Sequence, residues 1–245
     1  MNPKETAARR AVEFVRDGMT LGLGTGSTSA FMIQALGERV KSEGLQVRGV
    51  PTSERSKALA LSLGIPVLDL NEAGTLDLAL DGADEADPDM NLIKGGGGAL
   101  LQEKLVVAAA QEFIVICDSS KLKKTLGRFP LPVAIIPFGW KTTEARLKAY
   151  CPDIVLRLAK DGSAFITDDG LYILDLHLGV IENPPELERT LKMIVGVAEV
   201  GLFCGMATKI VVDMRTGMRK CWDNQAFPIA LEARLISHVG RRLRG

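Results

Sequence analysis

The sequence predicts an α/β protein, a doubly wound and mostly parallel sheet joined to a smaller α+β unit. Three observations lead there. Short apolar runs alternate with helix-period stretches from Thr20 to Cys117, the pattern of parallel strands covered on both faces. Glycine-rich or acidic turns stand where these runs end, as at Gly22-Leu23-Gly24-Thr25-Gly26 and Asp81-Gly82-Ala83-Asp84. At Phe129-Pro130-Leu131-Pro132 the rhythm changes, and a strand, helix, strand, strand, helix, strand order follows.

The elements read in order as follows. The start, MNPKETAARRAVEFV, has a helical pattern rather than the apolar core of an export signal. Thr20 to Gly24 is a buried strand, Ser29 to Lys41 a helix with Phe31, Ala35 and Leu36 inward, and Val47 to Pro51 the next strand. Glu54 to Leu63 is helical, Val67 to Leu70 and Leu76 to Leu80 are strands, Ala99 to Gln111 is a helix and Phe113 to Cys117 a strand. The second unit reads as strand Val133 to Ile136, helix Thr143 to Tyr150, strand Ile154 to Leu158, and strands Ala164 to Thr167 and Leu171 to Leu178 about an Asp168-Asp169-Gly170 turn. A helix from Pro185 to Ile194 and a strand from Val197 to Phe203 complete it. Lys209 to Asp213 returns to the first sheet, and Asn224 to Gly245 reads as a helix. The expected organisation is a discontinuous Rossmann-like domain, 1–128 plus 205–245, around a ferredoxin-like domain, 129–204.

Composition narrows the function. Thirty Lys plus Arg against thirty Asp plus Glu give a formal net charge of +0, so no global field favours nucleic acid or an anionic membrane, and neither is an expected partner. An anionic ligand must be met by local groups. With only two histidines, His177 and His238, a polyhistidine metal centre is excluded, no metal is expected, and proton chemistry falls to carboxylates and lysines. His177 alternates with apolar neighbours and reads as a core or domain-interface residue. The four cysteines lack a CxxC pair and suit buried thiols in a reducing cytoplasm. The uncharged stretch between Asp17 and Glu38 is broken by glycines and hydroxyls, which suits a strand and loop better than a membrane helix.

Three segments can carry chemistry. In Gly22 to Ser29 a strand ends and a helix begins, so free N–H groups, the positive helix end and four hydroxyls suit a phosphate or sugar-hydroxyl cradle, or else a tight structural turn. It is a poor dinucleotide fingerprint, because Ser27 occupies the third glycine position and no acid ends the next strand, and it lacks the GK[ST] of a P-loop. Asp81 to Asp87 follows an apolar strand at the carboxyl edge of the sheet, where acids are available for catalysis; a solvated acidic loop is the plainer alternative. Lys94-Gly95-Gly96-Gly97-Gly98 lets the backbone approach a ligand beside a cation and leads into a helix apolar nearly all round. Burial of Glu103 in that helix would raise its pKa toward that of a carbon-acid base, unless it serves in a salt bridge to Lys104 or another cation. Lys121, after Asp118-Ser119-Ser120, is placed to reach the same crevice.

Taken together and in this order, GLGTGST, DGAD, NLIKGGGGALLQEK and DSSK closely resemble the ribose-5-phosphate isomerase A family, and the match runs from the first helix through Asp213, with FPLPV, ITDDG and VGLF included. The resemblance implies interconversion of D-ribose 5-phosphate and D-ribulose 5-phosphate through an enediolate, in the non-oxidative branch of the pentose phosphate pathway. It also implies no cofactor, and a homodimer or homotetramer. Carried across, substrate contacts fall on Thr25, Gly26, Ser27, Thr28, Asp81, Gly82, Ala83, Asp84, Lys94, Gly95, Gly96, Gly97 and Lys121. Glu103 would move the proton between C2 and C1, Asp81 the hydroxyl protons, and Lys94, oriented with Asp84, would stabilise the oxyanion. Two departures stand out: Asp169-Gly170-Leu171, where relatives often carry asparagines, and the segment after about Lys220, expected to pack on a partner subunit or cap the sheet. A non-catalytic sugar-phosphate regulator would keep the anion loop but has no need of a buried acid. An NAD-dependent oxidoreductase is opposed by the broken fingerprint.

Overall fold

The computed structural model describes residues 2–213 and 219–223. Helix α1 (Pro3–Val12) starts where Asn2 accepts a hydrogen bond from Lys4 N and Pro3 supplies a fixed φ at the first turn. Strand β1 (Thr20–Leu23), helix α2 (Ser27–Glu43), β2 (Arg48–Pro51), α3 (Glu54–Ser62), α4 (Leu70–Ala73), β3 (Leu76–Gly82), β4 (Glu85–Ala86), β5 (Leu92–Ile93), α5 (Leu100–Ala108) and β6 (Ala110–Asp118) follow. Next come β7 (Leu131–Ile135), α6 (Trp140–Leu147), β8 (Ile154–Leu156), β9 (Tyr172–Leu176), α7 (Pro184–Lys192), β10 (Val197–Val200), β11 (Leu202–Phe203), β12 (Lys209–Asp213) and β13 (Arg219–Asp223).

Among the described residues the main sheet has the order β13-β12-β6-β3-β1-β2, parallel throughout except for the β12–β13 pair. Both faces are covered. Ala8, Ala11, Leu21, Leu36, Leu80 and Ile116 pack on one side, and Ala79, Phe113, Val115, Ile210 and Phe203 on the other. β7 to β10 form an antiparallel sheet in the order β10-β7-β9-β8, which with α6 and α7 is the ferredoxin-like arrangement around Leu131, Val133, Leu174 and Leu191. The α/β class with a parallel sheet and a smaller α+β unit is therefore what the chain adopts.

Several segments differ from the sequence expectation. Val67 makes only a single bridge to Gly49, and Leu70 to Ala73 become helix α4 because Asp69 caps it by accepting from Asn71 N. Ala164 to Thr167 is not a strand; Ala164 makes one bridge to Leu158. The run Val197 to Phe203 is split at Gly201, whose N–H goes to Pro132 O and whose carbonyl accepts from Lys94 N. Thus β11 leaves β10's sheet and joins β4 and β5 in a third, three-stranded sheet. Residues 110 and 111 belong to strand β6 rather than to the preceding helix, which ends at Ala108. Helix α5 is not buried all round, for Leu105 is half exposed. His177 is exposed at the end of β9 rather than in a core or interface. Cys117 and Cys151 are buried as expected, while Cys204 is half-buried and Cys221 is exposed. The chain about Lys220 supplies β13, an antiparallel edge strand; the helix expected from Asn224 onward, and His238, lie outside the described residues.

Candidate active site

The chain runs from β1 outward to β2 and then back to β3 on the other side of β1, so the crevice between β1 and β3 opens at their carboxyl ends. Asp81, next to the end of β3, lies at its base with 2% exposure. Its Oδ1 accepts from Thr25 N at 3.0 Å, Ser29 Oγ at 2.8 Å and Gly82 N at 2.7 Å. Its Oδ2 accepts from Lys94 Nζ at 2.7 Å. The β1 turn comes so close that any Cβ at Gly24 would overlap the Asp81 carboxylate, which is why glycine stands there.

Lys94 follows β5 and is as buried as Asp81. Its Nζ donates to Gly82 O at 2.6 Å and lies 3.4 Å from Glu103 Oε2. Burial opposes the ammonium charge, but Asp81 and Glu103 outweigh it and hold Lys94 protonated beyond the ordinary lysine range.

Glu103 sits in the first turn of α5 and is also buried. Burial pushes its carboxyl up to about 8; Lys94 opposes the shift, and the charges of Asp81 and Asp84 add to it. Among the described residues its Oε2 has no hydrogen-bond partner. A carboxylate oxygen left bare in the interior is costly, and here it faces a cavity. Of the alternative of a salt bridge, the one to Lys104 does not form, and the cation that Glu103 meets is Lys94. Consecutive helical residues point about 100° apart, and Lys104 Nζ instead meets Glu188 at 2.6 Å and Glu199 at 2.9 Å over the Phe203 ring.

The cavity, about 100 Å³, is lined by Thr25, Gly26, Ser27 and Thr28 from the β1 loop, Gly82, Ala83 and Asp84 after β3, Lys94 to Gly97, Glu103, Lys121 and Lys4. Every residue expected at the site is brought together here except Asp81, which lies beneath the lining with both oxygens engaged. Asp84 faces the cavity and its Oδ2 accepts from Gly96 N at 2.8 Å. Lys121 is presented by a short 3-10 turn that Asp118 caps through Ser120 N.

Sequence reasoning missed Lys4, whose Nζ donates to Ser27 Oγ at 3.1 Å from α1, 23 residues away along the chain. It also missed the hydroxyl group cluster below the loop, where Thr25 Oγ1 meets Thr52 Oγ1 at 2.7 Å and Ser53 Oγ at 2.8 Å while Ser56 Oγ donates to Gly24 O. The acids Glu85 and Asp87, by contrast, are structural. Glu85 accepts from Gly127 N and Phe129 N, and Asp87 ties the turn at Asn91. No group of three or more His, Cys, Asp or Glu among the described residues is placed to hold a metal ion.

A parallel α/β sheet with a buried carboxylate and lysine at the foot of a hydroxyl- and glycine-lined crevice defines an enzyme for a small, polar, anionic substrate. Residues 48–217 match the family model described as ribose 5-phosphate isomerase A (phosphoriboisomerase A). The chain belongs to the ribose-5-phosphate isomerase A family. It is 54% identical over 220 residues to the ribose-5-phosphate isomerase A of Cereibacter sphaeroides, covering 87% of this chain and 88% of the relative. It is 50% identical to that of Bacillus mycoides, covering 90% and 99%. The solved ribose 5-phosphate isomerase A of Methanocaldococcus jannaschii superposes with a TM-score of 0.86 at 41% identity, covering 91% of this chain and 98% of that one. A D-ribose-5-phosphate isomerase in complex with phospho-erythronic acid gives 0.87 at 39% identity, covering 91% and 100%.

Proposed function

We propose that this protein interconverts D-ribose 5-phosphate and D-ribulose 5-phosphate through an enediolate, with Glu103 as the base. The observation that carries the reading is the bare Oε2 of Glu103, buried, raised in pKa and 3.4 Å from a lysine ammonium. A carboxylate of that kind accepts a proton from carbon near neutral pH. With the open-chain aldose in the crevice, Glu103 takes the C2 proton, and the C–H electron pair forms the C1–C2 double bond while the carbonyl pair moves onto O1. Glu103, its proton exchanging with solvent, protonates C1 while the O2 proton passes to O1, and the ketose results. The Lys94 ammonium lies beside Glu103 and stabilises the negative charge that develops on the enediolate oxygens. Asp81, saturated by four donors, holds Lys94 in its charged form, so the hydroxyl-proton role that the resemblance gives to Asp81 passes in this reading to Asp84, which faces the cavity. Ser27, Thr28, Lys4 and Lys121 surround the phosphate.

The relatives named as this isomerase support the substrate, and so does the neighbour's ligand, a phosphorylated acid whose planar carboxylate resembles the two oxygens of an enediolate. The test is conversion of ribose 5-phosphate in deuterium oxide, with arabinose 5-phosphate, its C2 epimer, beside it. Conversion of the first with label at C1, and little of the second, is expected; no conversion of either would sink the reading.

We also place the protein as a homodimer or homotetramer in the cytoplasm. Exposed Phe138, Met193 and Val195 support self-association, on neighbouring loops joined by the Ile136 N to Gly196 O bond. Buried Cys117 and Cys151 support a reducing compartment. No helix among the described residues is long and apolar enough to cross a membrane. Light scattering that returns the mass of a single chain would overturn the oligomeric part.

A further inference from the structure

Arg157 directly follows β8 and reaches from the antiparallel sheet to the glycine loop after Lys94. Its Nη1 donates to the carbonyl oxygens of Gly95 at 2.8 Å and Gly96 at 3.2 Å. Its Nε donates to Asp175 Oδ2 at 2.9 Å, and Nη2 takes the other oxygen of that carboxylate. The guanidinium is therefore gripped in a bidentate pair by β9 while it holds two carbonyls of the loop. Both side chains are mostly buried, at 16% and 18% exposure, so water competes poorly for these bonds.

The bond directions matter. In a trans peptide the carbonyl and the following N–H point to opposite sides, and no cis peptide occurs among the described residues. With the oxygens of Gly95 and Gly96 drawn to Arg157, the N–H groups of Gly96 and Gly97 turn the other way. The first of them meets Asp84 Oδ2 at 2.8 Å, and Gly97 lines the cavity. The loop's own bond, Gly98 N to Gly95 O at 3.0 Å, leaves the Gly96 carbonyl unheld, and four successive glycines adopt many conformations; Gly95 and Gly98 stand at φ +98° and +87°.

We propose that Arg157, locked by Asp175, is a positioning residue for the isomerisation. It fixes the Gly96 and Gly97 amides so that Asp84 is held in place and the oxygens of the enediolate meet donors already oriented. Arg157 is absent from the cavity lining, so it acts through the loop and not on the substrate. A lysine cannot replace it, because one ammonium cannot hold a carboxylate side-on and two carbonyls in a fixed fork. The inference rests on the isomerase reading above.

The test is the steady-state kinetics of Arg157→Lys and Asp175→Asn on ribose 5-phosphate, with inhibition by phospho-erythronic acid and by inorganic phosphate measured beside them. We expect kcat to fall by roughly tenfold to a hundredfold, as for other small misplacements of a site, with KM and the phosphate inhibition constant little changed. The phospho-erythronic acid constant should weaken in step with kcat/KM, because only its carboxylate probes the oriented amides. Folded variants with wild-type kcat, or variants whose phosphate and phospho-erythronic acid constants weaken equally, would overturn the proposal. So would loss of the fold in both variants, which would make the clasp purely structural. An inactive wild-type chain would remove the isomerase reading itself, whereas an active wild type with active variants removes only the role of Arg157.

Discussion

At the scale of single residues the proposed chemistry rests on Glu103 and Lys94. Replacing Glu103 by Gln keeps its volume but removes the base, so turnover should fall by about 10²- to 10⁴-fold or more while substrate still binds. Near-normal exchange of the C2 proton with solvent in that variant would show that another group is the base. The same residue links activity to pH. The folded-state pKa of Glu103 is raised, to about 8, so the folded chain favours its protonated form. That contribution to stability is complete below the ordinary carboxylate pKa and is lost as pH rises through about 8. Activity has the opposite sign, since the base must be ionised, and kcat/KM should fall on the acid side of that value. Glu103→Gln should therefore melt at or above the wild-type temperature, with the gain growing from pH 5 to pH 9; a loss of several kcal/mol at every pH would mark a structural ion pair instead. Lys94 supplies a further expectation. Its ammonium stands 3.4 Å from the base, where a metal would otherwise supply charge, so turnover should survive EDTA. Activity abolished by EDTA and restored by a divalent ion would contradict it.

At the scale of elements the decisive piece is the β1–α2 junction. Gly26, at φ +106°, turns the chain into α2 and leaves Ser27 and Thr28 on the helix's first turn, where N–H groups and hydroxyls converge. Changing both Ser27 and Thr28 to Ala should raise KM, each lost bond to a charged group being worth roughly 1.5 to 3 kcal/mol. The melting temperature should hardly move, since Ser27 is exposed and Thr25, not these two, is tied into the hydroxyl cluster below. An unchanged KM beside a collapsed melting temperature would make the loop a structural turn. Which elements were legible follows from where their information lies. β1, β3 and β6 are parallel strands buried on both faces, so each is an apolar run visible in the sequence. β4, β5 and β11 have two residues each and no period to read, and they exist because Gly201 hands the chain from one sheet to another. The same division holds at the site. Glycines and acids at strand ends were legible because sheet topology gathers whatever stands there, whereas Lys4 and Arg157 arrive from other elements by tertiary packing alone. Leu105 misled for a related reason: apolar content around a short helix cannot say which stripe meets solvent.

At the scale of the whole molecule, the two main sheets are stitched together beneath the substrate loops. Gly201 N donates to Pro132 O at 2.7 Å and Lys94 N to Gly201 O at 2.8 Å, so the chain carrying the lysine also joins the sheets. β11 pairs with β5, and Glu85, buried beside them, accepts from Gly127 N at 2.8 Å and Phe129 N at 2.9 Å at the entry to the antiparallel unit. Units with separate cores can melt separately, but here neither sheet can leave without exposing these buried polar groups. The expected outcome is one cooperative transition. The chain has two tryptophans: Trp140, packed edge-on against Tyr172 in the antiparallel unit, and Trp222 on β13 of the parallel sheet. In a Trp222→Phe background, Trp140 fluorescence reports the antiparallel unit while far-ultraviolet dichroism reports the whole chain, and the two midpoints should coincide. Glu85→Ala strands two buried N–H groups at about 1 to 3 kcal/mol each, so it should lower both midpoints together. A Trp140 midpoint well below the dichroism midpoint in the Trp222→Phe background, with Glu85 intact, would show that the sheets are held independently, and the lysine segment between them would then be a hinge rather than a seam.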